Sequence, residues 1–189
     1  MKRLLCIVLL VVMVGTASSA FAETKPAGHY FANLKLVDQD GKRVDLYEDL
    51  MKDKVVVINS FFATCTGSCP VMAKTFQHVQ EQLGDRIGRD VWLISITVDP
   101  EVDTPEVLKK YAAQWKARPG WRFLTGSQEE VAAALKKIGQ YVDDRESHKN
   151  LILVGNDRTG LWKKLFGLAK PAEIQAGVDS VVSDVVPAK

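Results

Sequence analysis

The chain has 189 residues, 47% of them apolar, with 25 basic and 23 acidic side chains and a formal net charge of +2. So even a balance offers no electrostatic footprint for nucleic acid. The length suits one domain able to bury its own core, so its three cysteines are not needed as staples.

Residues 1–22 read as a secretory leader. Lys2 and Arg3 make a basic start, Leu4 to Val14 an apolar stretch, and Ala20-Phe21-Ala22 a small-x-small cleavage site. The apolar stretch is about half of the roughly 20 residues a bilayer span requires. Cleavage near Ala22 predicts a periplasmic or otherwise exported protein, whereas an uncleaved leader would anchor it facing the same compartment. Cleavage removes Cys6 and two basic residues, leaving 167 residues, balanced charge, and Cys65 and Cys69 as the remaining thiols. An even pair suits a compartment where thiols can be oxidised. Residues 23–32 are expected to form a mobile N-terminal segment, 33–189 the folded domain, and 185–189 a loose end.

From Leu34 to Leu46 apolar and polar residues alternate around Asp40-Gly41, a strong hairpin signal. Lys54 to Asn59 contains Val-Val-Val-Ile, the near-continuous apolar run of a strand buried on both faces. Directly after it comes Cys65-Thr66-Gly67-Ser68-Cys69-Pro70. Pro70 suits the first turn of a helix, and Val71, Phe76, Val79 and Leu83 then follow helical spacing up to Gly84. Trp92 to Val98 predicts a strand, and Thr104-Pro105-Glu106 opens a helix carrying Leu108, Tyr111 and Trp115. A strand at Trp121–Leu124, a helix over about Ser127–Ile138, strands at Leu151–Val154 and Leu161–Phe166, and a helix from Pro171 complete the order. This is an α/β plan with a mixed central sheet flanked by helices. Its order is thioredoxin-like, with an N-terminal β-hairpin and an inserted strand and helix. Where thioredoxins carry a cis-proline, the corresponding neighbourhood holds Ser147 and His148.

The thioredoxin-like order brings His148 toward the thiol helix. A helix N-terminus favours thiolate over thiol, which makes a cysteine both a better ligand and a readier redox partner. Cys65 is expected to be the more exposed sulfur. The C-x-x-x-C spacing lets the sulfurs part around an ion and still permits a disulfide. Two thiolates with one imidazole suit copper, as Cu(I) or Cu(II), whereas structural zinc normally takes a fourth protein ligand. Asp143, Asp144 and Glu146 are hard oxygen donors in a loop and read as solvated.

These residues resemble the Sco/SenC family of thioredoxin-fold copper proteins, in which C-x-x-x-C-P and a distant histidine bind one copper ion. Val98-Asp99-Pro100-Glu101-Val102-Asp103-Thr104-Pro105-Glu106 is similar to the family's V-D-P-x-x-D-T-P-E stretch and is more specific than the cysteines. The resemblance implies copper ligation by Cys65, Cys69 and His148, with Asp99 and Asp103 in a loop beside the site. Thr66-Gly67 stands where family members commonly have Pro-Asp, and Ser147 where they have Asp. The implied role is maturation of the dinuclear copper centre in subunit II of cytochrome c oxidase, by delivering copper or by reducing that subunit's cysteines.

Plainer readings stand beside these. A disulfide closing so short a loop would constrain the unfolded chain little, which disfavours a purely structural pair. His29 and His78 read as surface groups, and Trp92, Trp115, Trp121 and Trp162 as core or rim. Asp103 or Thr104 can cap the helix that follows. Two rival functions remain. One is a thiol–disulfide oxidoreductase in which Cys65 attacks and Cys69 resolves. The other is a thiol peroxidase, supported only by Thr64-Cys65.

Overall fold

The computed structural model describes residues 30–185. The leader, its cleavage site, His29 and residues 186–189 lie outside the described residues. Seven strands form one sheet in the order β2-β1-β5-β4-β3-β6-β7. The strands are β1 Lys35–Asp38, β2 Arg43–Asp45, β3 Val55–Phe61, β4 Val91–Thr97, β5 Trp121–Thr125, β6 Leu151–Asn156 and β7 Leu161–Phe166. Parallel β3, β4 and β5 make the centre, and antiparallel neighbours extend it on both sides.

Every residue of β3 is buried, as its apolar run requires of a strand covered on both faces. Alternation divides it between two cores. Val55, Val57 and Phe61 join the cluster beneath α1 (Ser68–Leu83), α2 (Pro105–Gln114) and α4 (Pro171–Val182). Val56 and Ile58 join the cluster beneath α3 (Gln128–Ile138). Helix α3 starts with the reciprocal cap its sequence encodes, Ser127 receiving the Glu130 N–H and the Glu130 carboxylate receiving the Ser127 N–H. On the first face Phe61 stacks on Tyr111 at 5.1 Å and Trp121 on Phe123 at 5.0 Å. Burying each such side chain contributes about 1.5–3 kcal/mol.

Two local features differ from expectation. The N-terminal hairpin itself forms as expected, from β1 and β2, and is continuous with the main sheet because β1 pairs antiparallel with β5. It ends at Asp45, whose carboxylate accepts the N–H groups of Tyr47 and Glu48 and starts a π-helical turn over Leu46–Met51. That turn buries Leu46, Tyr47, Leu50 and Met51, and the alternation read from Leu34 to Leu46 gave no sign of it. Phe31, expected in the mobile segment, is buried against Trp162 with ring centroids 5.6 Å apart.

The topology sets up the site. Strands β3 and β4 run parallel and β6 antiparallel to them. The loop after β3, the loop after β4 and the turn before β6 therefore meet at one end of the sheet. This is the crevice beyond the carboxyl ends of the central strands, where α/β folds commonly bind ligands.

Candidate metal centre

Cys65 lies in the loop between β3 and α1, its N–H donating to the Phe62 carbonyl at 3.2 Å. Cys69 lies in the first turn of α1, where Met72, Phe76, Val79 and Leu83 anchor the helix in the core. Gly67 caps that helix without a side-chain hydrogen bond, and no acidic residue occupies its first turn. The positive end of the helix is thus left to the sulfurs. Cys65 is half-buried and Cys69 buried, both as free thiols, so Cys65 is the more accessible sulfur as expected.

His148 reaches the same point from the other side. Its Nε2 lies 3.2 Å from Cys69 Sγ and 3.3 Å from Ser68 Oγ. Cys65, Cys69 and His148 offer ligand atoms all within 4.8 Å of one another, the one such group of three or more among the described residues. On the far side of the ring, Nδ1 lies 3.2 Å from the Arg145 carbonyl oxygen. A carbonyl only accepts, so Nδ1 carries the proton and Nε2 presents its lone pair to the sulfurs. The ring also meets Phe62 edge-to-face, with centroids 5.3 Å apart.

Burial pushes the Cys69 thiol up to about 12, and the adjacent Cys65 thiol and the Asp103 carboxylate add to the rise. Without a metal, desolvation outweighs the helix terminus, and Cys69 keeps its proton. A cation between the sulfurs would reverse that balance.

The two aspartates stand beside the site in distinct roles. Asp103 is fully buried and accepts the Ala63 N–H at 3.0 Å and the Thr97 hydroxyl at 2.5 Å. Burial raises its carboxyl above the usual range, opposed by those two bonds. Thr104 takes the cap of α2, its Oγ1 accepting the Val107 N–H at 3.5 Å. Asp99 pairs with Arg145, Oδ2 to Nη1 at 2.5 Å. Asp143, Asp144 and Glu146 are exposed, as expected of a solvated loop, and Asp144 caps the short turn over Arg145–Ser147. His78 lies half-buried on α1, outside the cluster.

Sequence reasoning did not single out Phe62, Ser68, Arg145 or Gln140. Buried Gln140 accepts the Ser60 N–H at 2.9 Å and so fixes the start of the histidine-bearing loop to β3. Ser68 had a signal in its place directly before Cys69. The other three are defined by contacts across the fold.

The model of the SCO1/SenC family matches residues 22–181. The chain belongs to the SCO1/SenC family. A SCO1 protein homologue of Bacillus subtilis (strain 168) is 38% identical over 129 residues, covering 64% of this chain and 65% of that protein. Among solved structures, BsSco, described as a Sco-family cytochrome c oxidase assembly protein with a disulfide switch, is 32% identical. Its TM-score is 0.65, with 79% of this chain and 91% of that chain covered. ScoI of Bradyrhizobium japonicum with copper bound is 26% identical at TM-score 0.64, with 78% and 96% covered. The thioredoxin-like arrangement expected from the order of elements is the fold these relatives share.

Proposed function

We propose that this protein is an exported copper carrier that holds one ion between Cys65, Cys69 and His148. The observation that carries this reading is the convergence of two sulfurs and Nε2 within 4.8 Å, with the imidazole proton held on the opposite nitrogen. The donor set fits the cargo. Soft thiolates and one imidazole suit copper in either oxidation state, and the cluster contains no fourth protein ligand of the kind structural zinc takes. Release by ligand exchange requires one exposed side of the site, and Cys65 supplies it.

The acceptor in this reading is an exported or membrane-bound cuproprotein, with the copper centre of cytochrome c oxidase subunit II first in line. Support for a protein acceptor comes from the rim. Val71 in the first turn of α1, Val102 in the loop after β4, and Phe166 and Leu168 at the end of β7 are exposed apolar side chains on elements that converge at this end of the sheet. Exposed apolar groups clustered around a site mark protein contacts.

The deciding experiment is anaerobic titration of the reduced, leader-free protein with Cu(I) and Cu(II), with His148→Ala alongside. One tight ion per chain, weakened by the substitution, is expected. Binding indifferent to His148 would sink this reading. The second reading, reduction of an acceptor's cysteines, is favoured by the pairing of a half-buried Cys65 thiol with a buried partner. It predicts disulfide reduction that survives His148→Ala.

A further inference from the structure

We propose that the ion pair between Asp99 and Arg145 is a positioning latch for His148, setting the imidazole against the cysteine loop through side chains outside the ligand set. The Arg145 carbonyl oxygen receives both the backbone N–H of His148, at 3.1 Å, and its Nδ1–H, at 3.2 Å. Wherever Arg145 is held, the histidine follows in backbone and ring orientation alike.

What holds Arg145 is its side chain. The guanidinium bonds Asp99 and lies over the Phe62 ring, 5.4 Å from its centroid, while its Nε lies 3.4 Å from the Glu146 carboxylate. Phe62 is the same ring that meets His148 edge-on. The Asp99 side chain is only 14% exposed against 44% for Arg145, so the carboxylate end of the pair is partly withdrawn from water while the guanidinium end reaches the surface. Asp99 is itself fixed, its N–H donating to Thr97 Oγ1 at 2.9 Å and its carbonyl receiving the Asp103 N–H at 2.9 Å.

A division of labour follows within one loop. Asp103 grips the cysteine loop at Ala63, and Asp99 grips the histidine turn at Arg145. The two carboxylates mount both halves of the site on the end of β4, which preorganises the ligands without contributing an oxygen to them. The turn keeps other supports, such as the Gly167 N–H donating to the Asn150 carbonyl at 2.9 Å. Loss of the latch is therefore expected to loosen the site and leave the fold intact.

The test compares Arg145→Ala, Asp99→Asn, their double variant and Arg145→Lys by two readouts. In the metal-free protein, side-chain nitrogen NMR of His148 is expected to show the Nδ1–H tautomer in the wild type and a mixture in both single variants. The double variant should be no worse than either single one, and Arg145→Lys should restore most of the wild-type signal. Under the copper reading above, the single variants also lose about 10-fold in Cu(II) affinity and part of the histidine nitrogen splitting in the copper EPR spectrum. Wild-type tautomer and splitting in Arg145→Ala, or effects that simply add in the double variant, would overturn the latch. If the wild type itself shows no histidine nitrogen on copper, the copper reading fails while the metal-free measurement still decides the latch.

Discussion

The Asp103 carboxylate, fully buried, accepts the Ala63 N–H at 3.0 Å and so joins the loop after β4 to the start of the cysteine loop. The Thr97 hydroxyl donates to the same carboxylate. Asp103→Ala removes the acceptor from the fully buried Thr97 hydroxyl and from the partly buried Ala63 N–H. Each buried donor left unpaired costs about 1–3 kcal/mol, and relief of the buried carboxylate offsets part of this. A net loss of about 2 kcal/mol is expected from urea unfolding, with Asp103→Asn, which keeps an acceptor oxygen, losing less. Equal stability of the alanine variant and the wild type would show that the bridge does not support the fold.

Cys69 makes the reduced, metal-free protein sensitive to alkali. Its thiol titrates at about 12 in the folded state, against 9.0 for the unperturbed group, because burial disfavours the thiolate. A pKa raised by folding contributes stability that is fully present below about 9 and lost as pH climbs toward 12. The melting temperature is therefore expected to fall as pH rises above about 9, and to fall less steeply in Cys69→Ser. Burial raises the Tyr111 hydroxyl in the same direction, so the difference between wild type and variant is the informative quantity. At pH 8, alkylation followed by peptide mass mapping should modify Cys65 well before Cys69.

How far the sequence spoke depended on whether a feature was local. The apolar run of β3, the helix over about Ser127–Ile138, the Pro70 helix start and the C-x-x-x-C spacing are each written in a few adjacent residues, and each stands where it was expected. The thioredoxin-like order then brought His148 to the thiols, a long-range contact recoverable because the topology is regular. What escaped was side-chain partnership across the fold. Arg145 in a charged loop is indistinguishable from a solvated residue until Asp99 and Phe62 are placed beside it. Asp103 and Thr104 were both candidates for the cap of α2, and the structure separates them by the Val107 N–H bonded to Thr104 and by the burial of Asp103 beneath the cysteine loop. The π-helical turn at Leu46–Met51 was hidden because its buried residues, Leu46, Tyr47, Leu50 and Met51, make a single turn of helical spacing directly after the strand, too short to register as a periodic run.

Gly155 offers a test of packing on the second sheet face. The Trp162 indole lies directly across it, and a Cβ at residue 155 would overlap the ring. Gly155 and Trp162 are register partners on β6 and β7, so the absent side chain is what lets the indole lie across the strand. Gly155→Ala is expected to cost about 1–3 kcal/mol by overpacking and to displace Trp162 from Phe31. Chemical unfolding reads the first effect and near-ultraviolet circular dichroism the second. Combining it with Trp162→Ala should recover part of the loss attributable to Gly155→Ala. A destabilisation that persists unchanged without the indole would place the strain in the backbone instead.

The protonated Cys69 thiol also sets a sign for copper binding. Ligation requires the thiolate, so a metal entering the site displaces the Cys69 proton, and every thiol proton released steepens the dependence on pH. Between pH 6 and 8, well below the value of about 12 reached by Cys69, affinity is expected to rise about tenfold per pH unit for that proton. Competition titrations against a chelator, corrected for the chelator's own protonation, measure the slope. Cys69→Ser should flatten it by about one proton while also weakening binding, whereas His148→Ala should weaken binding and leave the proton released by Cys69 in place. A slope that Cys69→Ser leaves unchanged would mean that the buried sulfur does not ligate the ion, and would move the metal toward Cys65 and His148 alone.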